Sequence, residues 1–260
     1  MEEALRRSRD ELESRVQERT AELERRNEEL RSFTFAASHD LQEPLRKIQT
    51  FSDLIASTCP ESATKQGRDY LRRMHETATR MRDVLQSLQR YSRLTSKTEP
   101  FERVDLNKTA KEVVSDLDLR IRDANALVEI GDLPEIEADA AQMRQLLQNL
   151  LDNALKFGRQ GEQTRVKIHS FCSAVSQNGE CEIYVEDNGI GFEEEYLDRI
   201  FKPFQRLHGR EEYGGIGMGL AICTKVAGNH NGRITARSVP GKGSTFIVTL
   251  PVRQSGPKPK

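Results

Sequence analysis

The chain has no tryptophan, only four cysteines and, over 260 residues, a formal charge of just −1. Each scarcity excludes something. A charge this close to zero gives no global pull towards nucleic acid or acidic lipid, so neither is expected as a partner. No run of about 20 apolar residues occurs, which leaves no transmembrane helix and no direct membrane insertion. Cys59, Cys172, Cys181 and Cys223 lack metal-type spacing. They read as reduced, mostly buried thiols, which fits a cytoplasmic protein. The N-terminus is charged from its first turn and does not read as a signal peptide. Its helical character suggests that an upstream piece is absent.

Charge itself is plentiful, at 31% of residues against 36% hydrophobic. Residues 2 to 37 are the most charged. Val16, Leu23, Leu30 and Ala37 recur every seven residues, and Leu5, Leu12 and Phe33 form a second row. That seam predicts a coiled coil, weakened where Arg9, Arg19 and Arg26 take seam positions. A lone solvated helix is the plainer alternative. Extending the heptads puts His39 two positions beyond Ala37, off the seam and exposed.

Residues 33–48, "FTFAASHDLQEPLRKI", set His39–Asp40 ahead of Pro44 in a helical pattern. A proline inside a helix costs roughly 3 kcal/mol or more. Ile48, Phe51, Leu54 and Ile55 continue the apolar face beyond it, so the helix is expected to bend and resume. After "STCPESATKQG", a second helix carries Leu71, Met74, Ala78, Met81, Leu85 and Leu88 on one stripe. Two such helices bury too little surface alone. Pairing with a second copy would give a dimeric four-helix bundle.

Beyond a proline-bearing linker the texture changes to strands, helices and glycine-rich turns. "ALVEIGDLPEIEAD" reads as strand and turn, and "AAQMRQLLQNLLDNALKFG" as a strong helix ending at Gly158. "TRVKIHSFC" and "CEIYVEDNG" read as strands, "IGMGLAICTKVAGNHNG" as a glycine-rich lead-in to a helix, and "RITARSVPGKGSTFIVTLP" as a hairpin around Pro240–Gly241. The tail "QSGPKPK" reads as disordered. This half is predicted to be an α+β domain with helices on one face of a mixed sheet.

Three constellations could carry chemistry. Asn149, Asn153 and Lys156 lie four and three residues apart, on one helix face opposite Leu146, Leu147, Leu150 and Leu151. Amide oxygens and an ammonium in a row suit a metal–phosphate complex. Asp187 ends an apolar strand just before Gly189 and Gly191, where a carboxylate could accept a hydrogen bond from a base amino group. Gly214, Gly215, Gly217 and Gly219 open a helix, whose backbone N–H groups make an anion site. Leu220 stands where the dinucleotide fingerprint requires glycine, and Gly243 interrupts "GKGST", so neither a dinucleotide fold nor a P-loop fits.

The Asn helix, the Asp–Gly–Gly turn, "RIFKPFQRL", "GGIGMGLAI" and "GKGSTF" follow one another in order. Together they resemble the N, G1, F, G2 and G3 boxes of the ATP-binding domain shared by histidine kinases, gyrase, Hsp90 and MutL. Upstream, "SHDLQEPL" resembles the H box of sensor histidine kinases, in its phytochrome-associated form. The resemblance covers residues 30 to 250. It implies a multidomain α and α+β chain: a coiled-coil signalling helix (1–30), an antiparallel hairpin for dimerisation and histidine phosphotransfer (31–97), a linker (98–103), an α/β-sandwich GHKL (Bergerat) ATPase domain (104–252) and a tail (253–260).

The same resemblance implies an ATP-dependent protein-histidine kinase. His39 would be the phosphoacceptor and Asp40 its general base. Asn153 would ligate Mg²⁺, with Asn149 and Lys156 on the nucleotide phosphates. Asp187 would read adenine beside Gly189, Gly191 and Thr245. Gly215, Gly217, Gly219 and Leu220 would line the phosphates under a lid at about 203 to 214, anchored by Phe201 and Phe204, with Arg206 reaching the γ-phosphate. Implied partners are a second copy, an upstream sensor module and a response regulator receiver domain. Pro44 would mark a hinge beyond the histidine. Glu43 departs from the threonine or asparagine many relatives carry, which puts regulator dephosphorylation in doubt. His75, His169, His208 and His230 lack the acid and proline context and read as surface or core residues. Two other readings are a non-catalytic ATP-binding scaffold and an ATP-gated clamp. The intact His39, Asn153 and Asp187 disfavour the first, and the hairpin preceding the ATP domain disfavours the second.

Overall fold

A computed structural model of the chain describes residues 16, 17, 19, 22, 41–55, 65–94, 100–172, 179–207 and 213–254. The chain divides into two compact units, Met1–Ser96 and Lys97–Lys260. Most of the predicted coiled coil, together with His39, Asp40, Cys59 and His208, lies outside the described residues.

In the first unit, helix α1 (described over 41–55) runs unbroken through Pro44 and packs antiparallel to α2 (Lys65–Arg93). The register follows from side-chain pairs. Gln42 donates to Gln89 at 3.3 Å, Gln49 donates to Thr79 at 2.7 Å, and Arg82 donates to Gln49 at 3.2 Å. Leu45, Ala78 and Leu85 form the small apolar cluster between the helices. The α2 stripe therefore splits. Ala78 and Leu85 face α1, whereas Met74 and Met81 are exposed, as are Leu41, Ile48, Phe51, Leu54, Ile55 and Tyr70.

The second unit is built on a five-stranded mixed sheet in the order β2-β4-β5-β7-β6. Its strands are β2 (Leu127–Ile130), β4 (Arg165–Cys172), β5 (Glu180–Asp187), β6 (Arg233–Val239) and β7 (Gly243–Pro251). β2 runs parallel to β4, and the other neighbours are antiparallel. A separate two-stranded ribbon joins β1 (Glu102–Asp105), which starts inside the stretch read as linker, to β3 (Glu135–Ala138). Alternation along the strands puts one row of apolar side chains inward: Val166 and Ile168, Ile183 and Val185, Phe246, Val248 and Leu250. Helices α3 (Leu106–Asp116), α5 (Ala140–Lys156) and α7 (Gly219–Asn229) cover that row, and a one-turn helix α6 (Leu197–Ile200) precedes α7 in the chain.

Two helices were not foreseen, α3 and the short α4 (Asp118–Asp123). Their signal was present: Asp105 caps α3 by accepting from the Asn107 and Lys108 amides, and Leu106, Ala110, Val113 and Leu117 recur at helical spacing. One cysteine expectation is overturned. Cys172 and Cys181 stand directly opposite each other across β4 and β5 and form a disulfide. They lie nine positions apart in the chain, so the antiparallel register, not linear spacing, brings them together. Among the described residues, Cys223 is a buried free thiol.

Candidate functional site

The helix α5 starts at Asp139, whose side chain accepts from the Gln142 amide at 3.1 Å and from its side-chain amide at 2.7 Å. Leu146, Leu147, Leu150 and Leu151 are buried on one side. The helical period then leaves Asn149, Asn153 and Lys156 on the half-buried opposite side. Asn149 Nδ2 is buried with no oxygen or nitrogen partner, and its side chain faces the Cys223 thiol. Burial pushes that thiol up to about 12.

Lys156 has no ion pair with a carboxylate among the described residues. Its Nζ lies 4.4 Å above the Phe157 ring. Burial and then the neighbouring Arg206 charge lower its pKa. A half-buried ammonium beside a second positive charge suits an anionic ligand.

Asp187 ends β5 on the helix-facing side of the sheet, in register with Ser244. The Gly189 amide donates to Asp187 Oδ1 at 2.8 Å and the Ser244 amide at 3.2 Å. Burial pushes Asp187 up to about 6, and these two amides oppose the rise. Both hydrogen bonds fall on Oδ1, leaving Oδ2 to accept from a ligand. Ser238 braces the arrangement: its hydroxyl donates to the Gly243 carbonyl at 2.9 Å, lies 3.0 Å from the Ser244 hydroxyl and accepts from the Phe192 amide at 2.8 Å. Thr245, expected beside the base, pairs with Glu186 instead, so strand alternation turns its side chain to the sheet face away from Asp187, and Ser244 takes the neighbouring place.

The turn after Asp187 closes tightly. The Ile190 amide donates to the Phe157 carbonyl at 2.9 Å. A β-carbon at Gly189 would collide with that carbonyl, and one at Gly191 (φ +64°) would strike the Val239 carbonyl. Glycine is required at both positions.

The glycine-rich segment approaches from the other side. A β-carbon at Gly215 would come within 2.9 Å of Lys156 Nζ, and one at Gly219 within 3.9 Å of Asn149. The Phe204 amide donates to the Gly217 carbonyl at 3.0 Å. The Arg206 guanidinium donates to the Tyr213 carbonyl, and the Tyr213 ring packs on Phe157 with centroids 5.1 Å apart. Phe204 does not anchor this segment through its ring, which is exposed; with φ of 62°, its backbone makes the contact. Phe201 is half-buried, and Leu220 lies half-buried in the first turn of α7.

Asn149, Asn153, Lys156, Asp187, Gly189, Gly191, Gly215, Gly217 and Gly219 therefore surround one end of the sheet, though they are scattered over 71 positions of sequence (219 less 149, plus one). Sequence reasoning missed Ser244, Ser238 and Arg159. A serine after glycine and an arginine after a helix carry no local signal. His230 was expected in a surface or core role and is core. It is fully buried, its Nε2 accepting from the Asp139 amide at 3.0 Å and its Nδ1–H donating to the Val226 carbonyl at 2.8 Å. No group of three or more histidine, cysteine or carboxylate side chains suited to a metal occurs among the described residues.

Comparison with known proteins bears on this geometry. Residues 138–254 match the family described as histidine kinase-, DNA gyrase B-, and HSP90-like ATPase, and residues 29–97 match the His Kinase A (phospho-acceptor) domain. The phytochrome-like protein Cph1 of Synechocystis sp. is 34% identical over 231 residues, covering 88% of this chain. Cyanobacterial phytochrome A of Nostoc sp. is 36% identical over 231 residues, covering 89% of this chain. The chain spans only 30% of the length of each of these relatives. A solved structure of full-length ShkA in complex with AMPPNP shares the fold, with a TM-score of 0.64 over 86% of this chain and 46% of that one at 23% identity. The nucleotide-free catalytic domain of histidine kinase ThkA aligns with 60% of this chain and 99% of its own, with a TM-score of 0.50 at 28% identity.

Proposed function

The chain belongs to the sensor histidine kinases, and from that premise we propose that it phosphorylates its own His39 from ATP and passes the phosphoryl group to an aspartate of a response regulator receiver domain. The observation that carries the reading is the convergence of a base-accepting carboxylate, a polar helix face and a glycine cradle on one end of the sheet. Asp187 Oδ2 accepts the adenine amino group, with Gly189, Gly191 and Ser244 around it. Gly215, Gly217, Gly219 and Leu220 line the phosphates with Asn149 beside them, and Lys156 and Arg206 balance their charge. The half-buried Lys156 ammonium, which has no carboxylate partner among the described residues and lies against the Gly215 backbone, supports an anion at this place. Asn153 offers a side-chain oxygen to Mg²⁺, a hard cation that would neutralise charge on the phosphate oxygens.

The transfer forms a bond from an imidazole nitrogen of His39 to the γ-phosphorus while the bridging bond to the β-phosphate breaks, and ADP leaves with that electron pair. Asp40 holds the ring and takes its proton. The phosphoramidate then gives up its phosphoryl group to the regulator's carboxylate. Glu43, ion-paired with Lys47 at 2.8 Å, would repel a returning phosphoaspartate, so hydrolysis of the regulator's phosphoaspartate by the usual route is disfavoured.

A second copy completes the first unit in this proposal. Phe51 (60% exposed), Tyr70 (56%) and Leu54 (52%) are among the apolar side chains that the hairpin leaves uncovered, and pairing into a four-helix bundle would bury them. A sensor module joined through residues 1–30 supplies the signal, Pro44 serves as the hinge beyond His39, and the kinase core works in the cytoplasm. No helix among the described residues is long and apolar enough to cross a membrane.

Incubation with Mg²⁺ and γ-labelled ATP tests the reading. The expected label is acid-labile, base-stable and absent from His39→Ala. Acid-stable label, or label retained in His39→Ala, would overturn it.

A further inference from the structure

Arg159 lies three residues beyond the last helical residue of α5 and has no part in the function proposed above. Its guanidinium spans two loops. Nε donates to the Asn188 carbonyl at 2.9 Å and NH1 donates to the Gly241 carbonyl at 3.0 Å. The remaining nitrogen pairs with Glu162 at 2.7 Å, which steadies the fork.

The two carbonyls belong to turns that adjoin the amides holding Asp187. Asn188 precedes Gly189, and Gly241 sits in the β6–β7 turn just before Ser244. Asn188 is itself fastened: its Oδ1 accepts from the Arg165 amide at 2.7 Å and its Nδ2 donates to the Gln163 carbonyl at 3.0 Å. The Gly241 amide donates to the Ile190 carbonyl at 2.7 Å, closing a second link between the same two turns. A β-carbon at Gly243 would collide with the Asp187 carbonyl, so the turns already stand as close as their backbones permit. Only a planar, multi-donor group reaches both carbonyls at once; the single ammonium of a lysine does not.

We propose that Arg159 is a positioning residue that fixes the separation of the 187–191 and 239–243 turns, and thereby makes Asp187 select adenine over guanine nucleotides. The proposal rests on the nucleotide reading of this site. Its chemistry is that of the purine edge. Adenine presents an amino donor to a carboxylate, whereas guanine presents a carbonyl oxygen there, which a carboxylate repels. Discrimination of this kind requires the carboxylate to stay in place, because a site free to shift can turn Asp187 away from the unfavourable oxygen. Arg159 touches neither the base nor the reacting atoms. It acts through the two turns.

The test is competition of ATP and of GTP against a fluorescent ATP analogue on the full chain, for wild type, Arg159→Lys and Arg159→Met, with thermal unfolding measured alongside. The expected result is a fall of about tenfold in the ATP-to-GTP affinity ratio in both variants, the equivalent of one charge-assisted hydrogen bond. Arg159→Lys keeps the charge, so a preserved ratio in that variant would show that charge alone suffices and would overturn the positioning role. Equal loss of both nucleotides in step with a lower unfolding temperature would overturn it too, as a merely structural contribution. Wild type that binds neither nucleotide would instead sink the nucleotide reading on which the proposal stands.

Discussion

Asp187 shows how a single carboxylate is tuned by its surroundings. Burial raises its pKa to about 6 from the ordinary 3.8, against the pull of the Gly189 and Ser244 amides. The acceptor form therefore exists above about pH 6 and is protonated below it. ATP affinity is expected to fall as pH drops through 6, and isothermal titration between pH 5 and 8 would show it. The sign for stability is the opposite. A carboxyl whose folded pKa is raised favours the fold below its unfolded value, and that contribution is lost as pH rises through the folded one. Holding it ionised at neutral pH costs on the order of 3 kcal/mol. Asp187→Asn should consequently unfold at an equal or higher temperature than wild type at pH 7.5 while binding no ATP, which a thermal melt paired with the binding assay would reveal. The position is spent on recognition and not on the fold.

Among the elements, α5 and α7 together frame the site, and His230 pins one to the other. Its Nε2 takes the Asp139 amide at the start of α5 and its Nδ1–H reaches the Val226 carbonyl near the end of α7, with Phe101 packed 5.0 Å from its ring. Burial lowers its pKa below the ordinary 6.5, although the Val226 carbonyl and the Asp139 charge pull the other way. A histidine held neutral contributes stability above about pH 6.5 that is lost as pH falls through the lower folded value. Protonation would turn its acceptor nitrogen into a donor facing another donor. The stability that His230 adds over a His230→Gln variant is expected to shrink between pH 7 and 5 in melts of the full chain, against the opposite trend set by Asp187. His230→Gln should be destabilised by about 1 to 3 kcal/mol at pH 7.5, with a flatter dependence on pH. An unchanged slope in that variant would assign the acid sensitivity to another group.

At the scale of the whole molecule, the hairpin sets the terms. Gln42, Gln49, Thr79, Arg82 and Gln89 line its inner seam alongside the few apolar residues there, while Phe51, Leu54, Ile55, Met74 and Met81 face out. Fully burying a side chain of this size contributes roughly 1.5–3 kcal/mol, so a second copy would supply what one hairpin lacks. Phe51→Glu combined with Met81→Glu should give monomers by light scattering and abolish autophosphorylation while leaving ATP binding within about twofold. A dimer that survives both charges would place the interface elsewhere.

The amino-acid sequence by itself determined the elements and the local chemistry. The four-and-three spacing of Asn149, Asn153 and Lys156, the Asp187–Gly189–Gly191 turn and the glycines ahead of α7 are periodicities and turn residues, which short stretches encode completely. Only the tertiary structure decided which distant groups meet: Ser244 on Asp187, Arg159 on two turns, His230 beneath α5, Cys172 against Cys181, and Met74 and Met81 outward where one stripe had been read. Strand register and helix packing make those contacts across tens of residues, and no local pattern records them.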